Sequence, residues 1–423
     1  MKKLSDAISN KIVLLITLYF PPEIGGGSSG AWNRAMIFHE LGYRVIILTA
    51  FPSYPLGKIN DPKYKNKLFY VENIDLITVV RFRLPSLKHD GYLRPLIIFL
   101  SFVFLSLIWL PRVHKVSKRP SIVYARSPVL FASFIGFIYS KIFRSSFIYE
   151  VPDLWPEELF YSKAILSHLF KRFGVLLASV SYRFPDKIVT VSKSAEEYII
   201  SHYQPKSPVF GIPVGIDLSK FQAVPKKNAR DVLVELSLLA PDDLEKFIIL
   251  YSGRISSAQN IECLLFAADA LKNISNMLIY IVGEGPDKKR IEEIKTDKKI
   301  TNVRIFNAQK REMMPILISA VDIVTVFLSS APIFSIALPT KFYEYLACSK
   351  PIIGICKGEL SEIINRNQIG LTCEIGNCEE LSQLIKKMNN PSEVNLFERN
   401  TNLLAKQFSI HELSLQFKKI LSS

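Results

Sequence analysis

Two stretches in the second half of this 423-residue chain set a cation beside a glycine or a carboxylate near the end of an apolar run. In YSGRISSAQN, Gly253 and Arg254 follow a β-branched apolar segment. In LPTKFYEYLACSKPII, Lys341 and Glu344 open a helical stretch that leads into another apolar run. Glycine lets a backbone come close to an anion, and an adjacent Arg or Lys supplies charge, so the pattern suits phosphate. IVGEGP puts Gly283, Glu284, Gly285 and Pro286 after the next apolar run. Near the start, Gly25, Gly26 and Gly27 precede a helical stretch and can offer backbone N–H groups to a phosphate. They do not form G-x-G-x-x-G, so a dinucleotide fingerprint is unsupported. Glu150, Asp153, Glu157 and Glu158 follow a further apolar run. A carboxylate there can orient a hydroxyl. It can also cap a helix, as Asp153 would, or sit in a first turn, as Glu157 and Glu158 would. No D-x-D occurs, so no metal site is expected on that motif.

Short apolar runs alternate with longer amphipathic ones, as parallel sheets with helical crossovers require. Strands are expected near Ile12–Tyr19, Arg44–Ala50, Leu76–Val80, Ser121–Tyr124, Phe147–Glu150 and Lys187–Val191. Helices are expected near Ser29–Leu41, Leu93–Val116, Leu130–Phe143, Tyr161–Phe184 and Ser194–Tyr203. Prolines 208, 213, 225 and 241 then break the pattern. A second series follows, with strands near Phe247–Tyr251, Met277–Val282, Val303–Phe306, Ile323–Phe327 and Pro351–Ile355, and a long amphipathic helix over Leu396–Leu421. The expected division is 1–217, with 405–423 returning to it, and 218–404. Two doubly wound halves would carry ligands beyond the carboxyl ends of their strands, facing a cleft.

The net charge of +15 is lopsided. Residues 1–210 hold 27 Lys and Arg against 14 Asp and Glu, and the rest is nearly balanced. Such a field suits an anionic lipid surface, an anionic substrate or nucleic acid. No aromatic-basic recognition stripe favours nucleic acid, which is not expected as a partner. The run Leu96–Leu110 is shorter than the ~20 residues that span a bilayer. With Phe99, Phe102 and Leu105 in it, and Arg112 and Lys115 beyond, it suits an interfacial helix. Lys2 and Lys3 precede the run Ile12–Phe20, but Asp6 and the following turn make that run a buried strand rather than a signal peptide. Five cysteines without C-x-x-C spacing suggest neither disulfides nor zinc, and a reducing compartment.

The stretches around Gly253–Arg254, Gly283–Pro286 and Lys341–Glu344 together resemble the donor-binding domain of the retaining GT-B glycosyltransferases of the fourth family. YFPPEIGGGSSG, YEVPDLWPEEL, VTVSKSAEEYI and IPVGIDLSKF extend the resemblance over nearly the whole chain. The nearest subgroup is the bacterial O-antigen and capsule transferases that use UDP-linked N-acetylated deoxyhexosamines, such as fucosamine transferases. The resemblance implies two Rossmann-like domains, a UDP-sugar donor in the second, and a polyprenyl-diphosphate-linked saccharide acceptor in the first. It implies no cofactor, and a peripheral place on the inner face of the plasma membrane. In that family an Arg, and a Lys five positions later, grip the diphosphate; Arg254 matches the first, while Gln259 stands at the second. Lys341 is the expected replacement cation. Glu344 matches a glutamate that binds the ribose hydroxyls, and Ile336 stands where its usual partner glutamate would be. Glu284 and the FNAQKRE loop with Gln309 would lie by the donor, and Gly25–Gly27 would close over its diphosphate. Pro152 replaces a common His, leaving Glu150 or Asp153 for the acceptor; Asp153 is chosen because it lies beyond the strand end. The alternatives are a GT-B-fold sugar-nucleotide epimerase and a basic nucleic-acid-binding protein.

Overall fold

The structure, a computed structural model, describes residues 11–23, 25–54, 57–88, 93–127, 131–155, 157 and 168–422. Lys2, Lys3, Asp6, Glu158 and the starts of the helices expected from Leu130 and Tyr161 lie outside them. The chain forms two α/β units, Met1–Gly215 with Ile410–Ser423, and Ile216–Ser409.

The first unit runs β1 (Ile12–Ile16), α1 (Gly26–Glu40), β2 (Arg44–Ala50), β3 (Phe69–Ile74), β4 (Ile77–Phe82), α2 (Leu93–Ile108), α3 (Leu110–Ser117), β5 (Ile122–Arg126), α4 (Ala132–Phe143), β6 (Ser146–Val151), α5 (His168–Ser181), β7 (Lys187–Thr190), α6 (Lys193–Tyr203) and β8 (Val209–Gly211). Its sheet has the order β3-β4-β2-β1-β5-β6-β7-β8. All pairs are parallel except the β3–β4 hairpin, which turns at Asp75 with a left-handed φ of 52°. The central strand β1, IVLLI, is buried throughout, as a strand covered on both faces must be. Its strand order reverses between β1 and β5, so the carboxyl ends of those two strands form a topological switch point.

The second unit runs α7 (Lys226–Glu235), β9 (Phe247–Ser252), α8 (Glu262–Ala270), β10 (Met277–Val282), α9 (Lys288–Asp297), β11 (Val303–Phe306), α10 (Met314–Ala320), β12 (Ile323–Phe327), α11 (Thr340–Ala347), β13 (Ile352–Ile355), α12 (Glu359–Arg366), β14 (Gly370–Cys373), α13 (Cys378–Met388) and α14 (Pro391–Gln407). Its parallel sheet, β11-β10-β9-β12-β13-β14, is the doubly wound order 3-2-1-4-5-6, with its switch point between β9 and β12. The final helix α15 (Ile410–Ser422) belongs to the first unit, where Phe417 packs edge-on against Phe38 of α1 with centroids 5.6 Å apart.

Three expectations are corrected. The single helix over Leu93–Val116 is two, α2 and α3, bent by 63°. Pro111 sits in the first turn of α3, where a missing N–H is tolerated, and cannot continue the helix before it. The long C-terminal helix is likewise two, α14 and α15, in different units. Cys263 and Cys378 form a disulfide with Cα atoms 5.0 Å apart, because α8 and α13 pack side by side. Their sequence separation of 115 hides that proximity.

Candidate functional site

At the second unit's switch point, β9 ends at Ser252 and the chain turns through Gly253 with φ 144°. A Cβ on Gly253 would lie 2.3 Å from the Lys341 amine, so glycine makes room for that amine against the backbone. The amine also lies 4.5 Å from the centroid of the buried Tyr251 ring, a cation–π distance. Tyr251 donates its hydroxyl to the Arg254 carbonyl at 2.6 Å and holds the loop, while the Arg254 side chain is exposed. Behind it, a Cβ on Gly283 would meet the Gly253 carbonyl oxygen at 1.8 Å. The two loops are pressed backbone to backbone, with Gly253 N–H donating to Val282 and Ile255 N–H to Glu284.

Lys341 sits in the first turn of α11, with Glu344 nearly one turn on. Burial pushes the Lys341 amine down to about 8, against the pull of Glu344. Burial also raises the Glu344 carboxyl, against Arg311 and Lys341. The guanidinium of Arg311, far upstream in the sequence, thus shares one electrostatic neighbourhood with the deprotonatable amine of Lys341 and the carboxyl of Glu344. An anion arriving there would restore full charge to Lys341. Gln259 accepts from the Ser256 hydroxyl and closes its own short turn. Glu284 is exposed and paired with Lys288 at 2.9 Å. Lys288 also donates to Asn307, whose carbonyl accepts from the Gln309 amide at 3.0 Å, so Lys288 ties the loops after β10 and β11 together. Sequence reading missed Arg311, Tyr251 and Lys288; the strand-end position of Tyr251 was the available signal.

At the first unit's switch point a recess of about 300 Å³ is lined by Tyr19, Glu23, Gly25–Ser28, Tyr54, Phe99, Arg126, Ser127, Pro152, Asp153 and Trp155. Gly26 begins α1, so the first amides of a 15-residue helix face a recess with no acidic residue in that turn. Asp153 lies on the exposed wall. Crowding by protein in the recess raises its carboxyl, the Arg126 charge lowers it, and the Glu150 charge raises it. Glu23 accepts from the amides of Ser53 and Tyr54 at 2.9 and 3.0 Å and is itself raised by burial.

Glu150 is corrected from a cleft residue to a buried anchor. It is 0% exposed; Arg34 donates to one carboxylate oxygen at 2.8 Å and Arg126 to the other at 2.9 Å. Burial would raise its carboxyl, but Arg34 and Arg126 hold it below the usual range. Arg126 also donates to the Gly27 carbonyl at 2.8 Å, so Glu150 fixes the glycine turn from beneath. The two arginines had no sequence signal, since each is an isolated charge in an apolar element.

The proposed lipid face is corrected too. Phe102 is 1% exposed and stacks on Phe82, Phe99 meets Trp155 in the recess, and Leu105 is half-buried. The exposed stripe of α2 is instead Leu96, Ile97, Leu100, Phe104 and Ile108, with Phe104 65% exposed. Arg112 and Lys115 are exposed on α3, as are Lys118 and Arg119 just beyond it. No single described helix is long and apolar enough to cross a membrane. No cluster able to hold a metal ion occurs among the described residues.

Residues 240–402 match the protein family described as "Glycosyl transferases group 1". That segment contains Gly253, Arg254, Lys341 and Glu344. The second unit thus carries a segment of the group 1 glycosyltransferase kind. Over 320 residues, 73% of this chain and 75% of the relative, the chain is 25% identical to a putative colanic acid biosynthesis glycosyl transferase of Escherichia coli K12. Over 217 residues, 49% of this chain and 46% of the relative, it is 26% identical to chitobiosyldiphosphodolichol beta-mannosyltransferase of Candida albicans. Its fold is that of HepE from Anabaena, solved with UDP and glucose, with a TM-score of 0.67, 17% identity, and 98% of this chain and all of the other covered. The chain thus has the GT-B fold expected of it, and the epimerase alternative finds no support.

Proposed function

We propose that this glycosyltransferase moves a sugar, with retention of configuration, from a UDP-linked donor to a polyprenyl-diphosphate-linked saccharide in bacterial surface polysaccharide synthesis. The donor sugar in this reading is an N-acetylated deoxyhexosamine. The observation that carries it is the cluster of Gly253, Arg254, Lys341 and Glu344 at the switch point of the group 1 segment. The acceptor oxygen bonds to the donor's anomeric carbon as the bond from that carbon to the diphosphate oxygen breaks. The acceptor's proton passes to the departing diphosphate. Lys341 and Arg254 meet the charge that develops there, Glu344 takes the ribose hydroxyls, and Asp153 orients the acceptor hydroxyl. A screen of UDP-sugars for binding, then for transfer to polyprenyl-diphosphate saccharides, tests the reading. Binding of no UDP-sugar would overturn its donor half.

Two further results are expected. Turnover should persist in excess chelator, because cations and helix amides do the work that a D-x-D metal does elsewhere. Loss restored by magnesium or manganese would contradict it. The protein should also bind anionic vesicles more than neutral ones, and less at high salt, since residues 93–119 carry five Lys and Arg and no Asp or Glu. Leu100→Ser with Phe104→Ser should weaken binding at unchanged thermal midpoint, because both side chains are exposed. Phe102→Ser should instead destabilise the fold by roughly 3–5 kcal/mol. Equal vesicle binding by the Leu100/Phe104 variant and the wild type would remove α2 as the contact.

A further inference from the structure

The helix α2 is apolar all round, and its two stripes do different things. Phe99, Phe102 and Ser106 face inward, and Phe99 forms part of the recess wall. Leu96, Ile97, Leu100, Phe104 and Ile108 form the outward stripe, with no charge among them. A helix apolar on every side is either buried or in contact with lipid, and this one is only half buried. Charge complements the outer stripe: Arg112, Lys115, Lys118 and Arg119 are exposed just beyond its end. Ile142 and Lys141 are exposed on α4, whose Tyr139 hydroxyl donates to the Ser106 carbonyl of α2. The occupant these features fit is an anionic bilayer surface.

The recess has the chemistry of a sugar seat. Tyr19 and Tyr54 meet edge-on at 5.2 Å, and Phe99 and Trp155 at 6.1 Å, giving aromatic walls for the C–H face of a pyranose. Glu23 and Asp153 can accept its hydroxyls, and Arg126 stands beside them. Phe99 and the lipid-facing stripe are on one helix, whose diameter with side chains is about 10–12 Å. An interfacial helix sinks about 5–10 Å into the headgroup and acyl boundary. The seat therefore lies at the level of the lipid headgroups, about one helix width from the hydrocarbon.

Resting on the acceptor reading above, we infer that the acceptor is a lipid diphosphate bearing only one or two sugars. The enzyme acts early, directly after the reactions that load the first sugars onto the lipid. The diphosphate of such a lipid sits among the headgroups, so one or two rings bring a terminal hydroxyl to the seat. A longer saccharide carries its terminal hydroxyl away from the membrane and must fold back to reach it, which costs chain entropy.

The test is a transfer assay in phosphatidylethanolamine–phosphatidylglycerol vesicles, with the UDP-sugar that gives turnover in the screen. The acceptors are polyprenyl-diphosphate-linked mono-, di- and tetrasaccharides of N-acetylglucosamine. The kcat/KM is expected to fall at least tenfold between the disaccharide and the tetrasaccharide. Equal or better use of the tetrasaccharide overturns the inference and leaves the proposed function standing. Transfer to free saccharides but to none of the lipid-linked ones overturns the proposed function itself, and the inference with it. A second measurement needs no turnover. With Trp32→Phe and Trp109→Phe, Trp155 alone reports from the recess. Its fluorescence should be quenched by lipids carrying a headgroup nitroxide, and less by lipids brominated deep in the acyl chain. Vesicle binding without quenching of Trp155 by either lipid overturns the placement.

Discussion

Lys341→Met is expected to lower kcat about 10²–10³-fold, the loss typical when one group that stabilises developing charge is removed. Methionine keeps the length and packs against Tyr251, so the fold should hold. The same amine predicts a pH effect whose two signs oppose each other. In the empty protein it titrates near 8, because burial disfavours its charge. A bound diphosphate stabilises the charge and raises that value, so UDP binding takes up a proton, and affinity should fall as pH rises above about 8. Calorimetry of UDP binding in two buffers of different ionisation enthalpy reads the proton directly. Stability of the empty protein runs the other way. Between about 8 and the ordinary lysine range the unfolded chain binds more protons than the folded one, so folding stability should rise with pH there. Both trends should vanish in Lys341→Met. UDP affinity flat from pH 7 to 9.5 in the wild type would remove Lys341 from the diphosphate site.

Glu150→Gln should cost about 3–5 kcal/mol of stability, because it strands two buried guanidinium groups without their counter-charge. Asp153→Asn should leave the thermal midpoint near wild type and lower turnover about 10²-fold or more, with donor affinity unchanged. The two carboxylates are three residues apart, yet one is sealed between arginines and the other stands on the recess wall. The lowered carboxyl of Glu150 has its own signature. Its stabilising effect is present above the ordinary carboxylate range and is lost as pH falls through the depressed value. Denaturant unfolding of both variants, beside turnover, separates the roles. If Asp153→Asn unfolds early and keeps its turnover, Asp153 is a cap and the acceptor assignment moves elsewhere.

The alternation of β-branched runs with amphipathic stretches was enough to read two α/β units, because strands buried on both faces must be apolar throughout. The weaker strands escaped. β3 is a half-exposed edge strand, FYVENI, whose polar residues read as a loop, and β8 and β14 have only three and four residues. The loop after β9 was legible as a candidate site for a local reason: Gly253 and Arg254 directly follow a strand, and strand ends are where α/β sheets bind ligands.

By itself, then, the sequence determined the doubly wound halves, the strand-end glycine and arginine, the helix that opens with Lys341 and Glu344, and the basic, apolar character of the α2 region. All of these depend on neighbours within a turn or a strand. Tertiary structure alone decided which partner each charge takes. Glu150 meets Arg34 and Arg126 from 116 and 24 residues away, and Cys263 meets Cys378 across 115. It also decided which side of α2 faces out. A helix that is apolar around its whole circumference has no polar stripe to mark its solvent side, so only packing against Phe82 and Trp155 turned Phe102 and Phe99 inward and left Phe104 exposed.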